Sequence, residues 1–255
     1  MLSQIIFYSA ASGLLSLIGG IILLGNAEWV KKFSIHFVSF AAGALLAISF
    51  LDLLPESIEH AAEAGSISVE TITLAAFVGF LAFFLFERLV LQFHYHHHEH
   101  DDQHLHATPT LLMTGDALHN FIDGVVIAGS FLVDPSLGLI TTIGVAVHEL
   151  PQEIGDFSIL LHHGWSKAAT LWANILISLT SVVGAIFAYI LRDTIEPYLP
   201  HLLAATAGIF IYISAADLLP EIHARTKRDK SWHVIVLVFL GIAAVWILRN
   251  FVEGH

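Results

Sequence analysis

Cysteine is absent from this chain of 255 residues, which excludes disulfides and thiolate metal ligands and leaves redox compartment unaddressed. Charge is scarce: 13% of residues are charged against 56% hydrophobic, and the mean hydropathy is +0.77. A water-soluble domain of this length needs far more charge to cover its surface. Lys and Arg number only ten and the net charge is −12, so the basic surface that nucleic acid demands is missing. No GxxxxGK[ST] phosphate loop occurs, so the sequence offers no such cradle for ATP. The opening run MLSQIIFYSAASGLLSLIGGIILL has no basic segment before its apolar stretch and reads as a spanning helix, not a cleaved signal peptide.

Long apolar runs are what the chain has in quantity. A hydrocarbon core of about 30 Å takes about 20 apolar residues as a helix. Runs of that length predict eight spans in an all-α polytopic membrane protein, near 5–24, 36–55, 72–92, 108–132, 138–162, 168–191, 201–220 and 232–250. They form a single transmembrane domain over 1–255, with a polar loop expected around 56–71 and a histidine-rich loop at 93–107. Basic residues set the orientation. With the N-terminus outside, Lys31, Lys32, Arg88, Lys167, Arg225, Lys227, Arg228 and Lys230 fall on cytoplasmic connections, and only Arg192 and Arg249 lie outside. Both termini are then external, the histidine-rich loop is cytoplasmic, and the compact length suits a prokaryotic inner membrane.

The chain also repeats itself. AGALLAISFLDLLPE (42–56) matches AGIFIYISAADLLPE (207–221) at nine of fifteen positions, an offset of 165. The same offset carries span 1 onto span 6 and span 3 close to span 8. Spans 1–3 therefore echo spans 6–8 with inverted direction, leaving spans 4 and 5 as a central pair in a 3+2+3 arrangement. Inverted repeats around a midplane site are a recurring transporter plan.

The two central spans are the most polar. Span 4 carries Asp116, His119, Asn120 and Asp123, which fall within about 100° on a helical wheel. Span 5 carries His148, Glu149, Gln152, Glu153 and Asp156, within about 140°. An ionised group at a helix centre costs roughly 2.5–3.5 kcal/mol on insertion scales, so these stripes must face each other, water or a cation. The pairs His119/Asp123 and His148/Gln152, each at i and i+4, can converge on one ion. Mixed imidazole and carboxylate donors suit zinc or iron(II) better than magnesium or calcium. Asn120 and Glu149 are displaced from the histidines, leaving room for a second, oxygen-rich site sharing Asp123. A polar network that merely ties helices together is the bland alternative. Pro151 frees the Val147 carbonyl, and Gly124 and Gly155 are expected to let backbones approach closely.

Other polar residues are less specific. Asn174, Ser178 and Ser181 share one face of span 6, as in ordinary helix–helix hydrogen bonding. Ser49/Asp52/Glu56 and Ser214/Asp217/Glu221 either guide cations at the two mouths or cap helix ends. The tract HYHHHEHDDQHLH contains His94, His96, His97, His98, His100, His104 and His106 with three acids. It reads as a weak multi-site metal binder or a solvated linker. His162, His163 and His223 are candidate exit ligands.

HNFIDG in span 4 and HELPQEIGDF in span 5 resemble the paired signatures of the ZIP (ZRT/IRT-like) metal-transporter family, in its LIV-1-like branch. That resemblance implies zinc uptake toward the cytoplasm, with iron, manganese or cadmium as further substrates. It also implies a binuclear midplane site and no catalytic cofactor. It places His119, Asp123, His148 and Gln152 at one metal, and Asn120, Asp123, Glu149 and Gln152 at the other. Ser181 stands where some relatives have a bridging acid, and Gln152 where many have histidine, so looser binding is expected. The rival from another class is an intramembrane zinc-dependent hydrolase, because HELPQ begins like HExxH; Gln152 leaves that motif incomplete. Divalent metal ions and the lipid bilayer are the expected partners, and a homodimer is a candidate assembly.

Overall fold

Capping residues open three of the helices. Asn26 Oδ1 accepts the Trp29 N–H at 3.1 Å, Asp134 Oδ1 accepts those of Ser136 and Leu137 at 2.7 and 3.2 Å, and the Ser166 hydroxyl accepts that of Ala169 at 3.2 Å. Each satisfies N–H groups that a helix start leaves without an internal partner. Pro109 and Pro135 open their helices, where a missing N–H costs nothing.

The computed structural model describes residues 1–65, 67–95, 109–225 and 232–253. In order these form α1 (Leu2–Gly25), α2 (Ala27–Ala47), α3 (Leu54–Ala64), α4 (Val69–Tyr95), α5 (Pro109–Val133) and α6 (Pro135–His162). Then come α7 (Lys167–Ser178), α8 (Thr180–Ile190), the short α9 (Arg192–Ile195), α10 (Leu199–Tyr212), α11 (Leu219–Arg225) and α12 (Trp232–Glu253). No strand occurs among the described residues. Seven stretches are long and apolar enough to cross a membrane, at 2–25, 33–63, 69–89, 113–133, 167–190, 192–225 and 232–251. The chain is thus an all-α, largely membrane-spanning bundle. α6 is long enough to cross, but its stripe of His, Glu, Gln and Asp sets it apart from the seven.

Two expectations need correction. Residues 56–64, read as part of a polar loop, continue the helix as α3; that segment is amphipathic, and Ala61 is buried against Ile72 and Ala204. Span 6 is also not one smooth helix. It breaks at Leu179, where Thr180 Oγ1 donates to the carbonyls of Ile177 and Ala117 at 2.7 and 2.8 Å.

Two π-helical turns, Ile48–Leu53 and Ile213–Leu218, link α2 to α3 and α10 to α11. They sit at the same offset of 165 as the sequence repeat. Proline is the local cause. Pro55 and Pro220 cannot donate to the carbonyls of Leu51 and Ala216, and the ring pushes against them, so the helix widens by one residue. Packing then crosses between the matched segments. α2 lies on α12 and α4 on α10, with backbone so close that a Cβ on Gly43 would fall 2.0 Å from Val238 O and one on Gly208 1.9 Å from Ala76 O. The pair α5 and α6 pack on each other, flanked by α8 and α1.

Candidate metal centre

α5 and α6 bring three of the predicted residues to a point. His119 Nε2 lies 3.2 Å from His148 Nε2, and both are 3.5 Å from Asp123 Oδ2. All three side chains are buried, and their ligand atoms form the one close His/acid group among the described residues. A tetrahedral ion with ligands at about 2.0–2.1 Å has edges of about 3.3–3.4 Å. This triangle therefore has the size of one face of such a tetrahedron. Its rings are fixed from behind: His148 Nδ1 donates to the Gly144 carbonyl at 3.2 Å, which leaves Nε2 with its lone pair toward the triangle. Phe83 meets His119 edge-on with centroids 5.4 Å apart, and Phe210 lies 5.7 Å from the His148 ring.

The remaining predicted residues do not join the triangle. Asp116 Oδ1 accepts from Asn120 Nδ2 at 3.0 Å and from Gln152 Nε2 at 2.8 Å. Gln152 and Asn120 therefore converge on Asp116, one helical turn from the triad. Glu149 is buried, and neither of its oxygens has a hydrogen-bond donor; the same holds for Asn120 Oδ1, Asp123 Oδ2, Asp116 Oδ2, Glu153 Oε2 and Asp156 Oδ2. Such groups are costly to bury without a counter-ion or proton, and their number here makes the surroundings of the triad suited to a multivalent cation. Glu153 turns to the other side of α6, where Ser178 Oγ donates to its Oε1 at 3.2 Å. Ser181 is turned away as well, donating to the carbonyls of Ser178 at 2.7 Å and Ser9 at 3.2 Å on α1. Gly124 does bring backbones together, with Ser181 O 1.8 Å from an ideal Cβ, whereas Gly155 has open space.

That open space is part of a cavity. A volume of about 590 Å³ runs from His148 and Gln152 past Gly155 and Ser158 to Asp217, Glu221 and Arg225 at the α11 end of the bundle. A second of about 200 Å³ joins His119 and Gln152 to Glu87 and Asp217. Gln152, Ile213 and Asp217 border both. Toward the α3 end the triad is capped instead by Ile5, Ile48, Phe131, Leu137 and Ile140, all buried, with Tyr8 stacked on Phe131. Glu87 and its partner, the Tyr212 hydroxyl, escaped the sequence reading; the available signal was a lone acid at the end of an apolar run. His163 and His223 donate back to their own helices, to Ile159 O at 2.9 Å and Leu219 O at 2.7 Å. The side chain of His162 and the histidine tract from residue 96 onward lie outside the described residues, and His94 belongs to the last turns of α4.

The profile of a family described as ZIP zinc transporter matches residues 96–249, from the histidine tract to α12. The chain belongs to the ZIP family. It is 34% identical over 150 residues to zinc transporter foi of Drosophila melanogaster, covering 59% of this chain and 21% of that protein. It is 29% identical over 227 residues to zinc transporter ZIP13 of Pongo abelii, covering 86% and 67%. Human zinc transporter ZIP4 is 32% identical over 142 residues, covering 56% and 22%. The chain thus spans about a fifth of foi and of ZIP4, and about two thirds of ZIP13. These relatives lie in the LIV-1-like branch that the two motifs indicated. ZIP membership and the tie between Gln152 and Asp116 set the hydrolase alternative aside. This is a polytopic membrane protein of the ZIP family with a His/Asp triad between α5 and α6.

Proposed function

We propose that this ZIP protein carries divalent transition-metal ions, zinc foremost and iron(II), manganese or cadmium as further substrates, across the bilayer by alternating access. The observation that carries the reading is the triangle of His119, His148 and Asp123, with edges of 3.2–3.5 Å and buried from lipid. In this reading α6 is the eighth span, its polar stripe turned inward to the ion. The fold is then 3+2+3, with inverted outer triplets; the paired π-turns and the crossed packing of α2 on α12 and α4 on α10 support it. Gln152, reached from both cavities, supplies the fourth contact or stands beside a water there. Asn120, Asp116 and Glu149 form the oxygen-rich neighbour that takes a second ion, with Glu153, Asp156 and Ser181 outside both shells.

The charge bias places the α11 end in the cytoplasm and both termini outside, so the cavities mark a cytoplasm-facing state of a cell-membrane protein. Metal arrives from the α3 side, trades water for the triad, and leaves past Asp217 toward the histidine-rich loop, which buffers it. Two copies associate as a homodimer, which mass measurement in detergent tests. The deciding experiment is metal flux into proteoliposomes, comparing zinc, iron(II), manganese and cadmium. Zinc flux should fall at least about tenfold in the His119→Ala/His148→Ala variant, as expected on losing two direct ligands. Undiminished flux would remove the triad from the pathway.

A further inference from the structure

The two repeats present the same unit to the triad in opposite states. In the first, Ile48 is fully buried against α6, so close to Gly144 that a Cβ there would fall 2.3 Å from Ile48 Cδ1. The carbonyl of that same Gly144 holds His148 Nδ1. In the second, the matched residue Ile213 borders both cavities beside His119, His148 and Gln152. Exposure follows suit: Asp52 and Leu53 are 5% and 0% exposed, whereas their counterparts Asp217 and Leu218 are exposed and half-buried.

One side chain makes the chemistry of the two ends unequal. Arg249 of α12 places Nε 3.5 Å from Asp52 Oδ1 and donates through Nη1 to the Leu51 carbonyl at 2.6 Å. Leu51 is the residue that Pro55 deprives of its donor in the helix. The guanidinium therefore supplies the missing N–H and a counter-charge to the acid at once. At the second π-turn the matched close contacts, Gly43 to Val238 with Gly208 to Ala76 and Gly241 to Phe40 with Gly79 to Ala205, relate α12 to α4 by an offset of 162, which puts Glu87 where Arg249 stands. The π-turn there adjoins the acid Glu87, hydrogen-bonded by Tyr212, while Glu221 is paired with Arg225 one turn farther on.

We propose that Arg249 is a latch, a positioning residue that holds the first π-turn, and through Ile48 and Gly144 the ring of His148, in the arrangement closed at the α3 end. Opening of that end requires the guanidinium to leave Asp52. A divalent cation arriving there competes with Arg249 for the same carboxylate and so favours release, while among the described residues no ion pair to an arginine holds Asp217 at the other end, where Glu87 borders the same cavity. This rests on the transport reading above and adds to it the element that makes the two mouths differ.

Because the chain has no cysteine, single thiols report accessibility without background. Ser49→Cys is nearly isosteric and lies in the closed π-turn; Ser158→Cys lies exposed in the larger cavity. A membrane-impermeant maleimide is applied to each in vesicles of either orientation. Arg249→Gln is expected to raise labelling of Ser49→Cys about five-fold from the α3 side and to lower that of Ser158→Cys from the α11 side, the scale on which loss of one ion pair moves a two-state equilibrium. Asp52→Asn should give the same opposed pair of shifts, and Arg249→Lys little change. Labelling that stays constant in both variants overturns the latch, and so does labelling that rises at both positions, which marks general loosening. The readout needs no metal movement, so absence of zinc flux in proteoliposomes would sink the transport reading without deciding this one.

Discussion

At the residue scale the centre is a compromise between holding an ion and letting it go. Three strong donors sit at tetrahedral spacing, and the amide proposed as the fourth contact already donates to Asp116. A neutral amide oxygen is a weaker zinc ligand than imidazole, and a transported ion must leave again. Gln152→His is therefore expected to tighten zinc binding about tenfold, the range that one supporting ligand commands, and to slow turnover at saturating metal. Competition against a chromogenic chelator, with flux measured alongside, checks both; unchanged affinity would mean that position 152 does not reach the ion. Asp116→Ala removes the acceptor shared by Asn120 and Gln152. It should lower thermal stability by about 1–3 kcal/mol per orphaned buried group, visible as a drop in melting temperature even without metal.

At the scale of helices, proline and glycine decide what the apolar runs can do. The π-turns ahead of Pro55 and Pro220 put Ile48 against Gly144 and Ile213 beside the cavities that reach His148 and His119. Close crossings keep the ligand-bearing helix in register: a Cβ on Gly184 of α8 would lie 2.0 Å from the Phe121 carbonyl of α5. Gly184→Ala is expected to push α5 off α8 and cost about 2 kcal/mol or more, within the range for overpacked backbone contacts. Because α5 carries His119 and Asp123, zinc affinity should fall with it. Gly25→Ala, with nothing within 4 Å of its Cβ, is the neutral control. Equal melting temperatures for the two variants would show that the crossing is looser than described.

At the scale of the whole molecule, the larger cavity among the described residues runs from the triad to the α11 end of the bundle, while apolar side chains pack toward the α3 end. Binding there must be linked to protons, since imidazole and carboxylate coordinate metal only after giving theirs up. Lowering pH adds competing protons to His119, His148 and Asp123. The zinc concentration for half-maximal uptake is thus expected to rise as pH falls, because protons compete with zinc for the same donor atoms. Proteoliposome uptake at several external pH values tests this, and a half-maximal concentration independent of pH would argue against these ligands.

Much of this was determined by sequence alone. Apolar run length marked the seven stretches long and apolar enough to cross a membrane, because a bilayer imposes its thickness on any helix that crosses it. The stripes on α5 and α6 contained the His119, Asp123 and His148 that meet in the triad, because buried charge in lipid requires a partner. The fifteen-residue match named the repeat, and with it the positions of both π-turns, although their shape was not foreseen from Pro55 and Pro220. Tertiary structure decided the rest. Whether Gln152 and Asn120 meet the ion or Asp116, whether Glu153 faces the centre or Ser178, and whether Ser181 serves α5 or α1 all depend on rotations of a few tens of degrees between packed helices. A helical wheel leaves those rotations undetermined. The pairing of Arg249 with Asp52 spans 197 residues, and no local pattern encodes it; only the laying of α12 across α2 brings that charge to that turn.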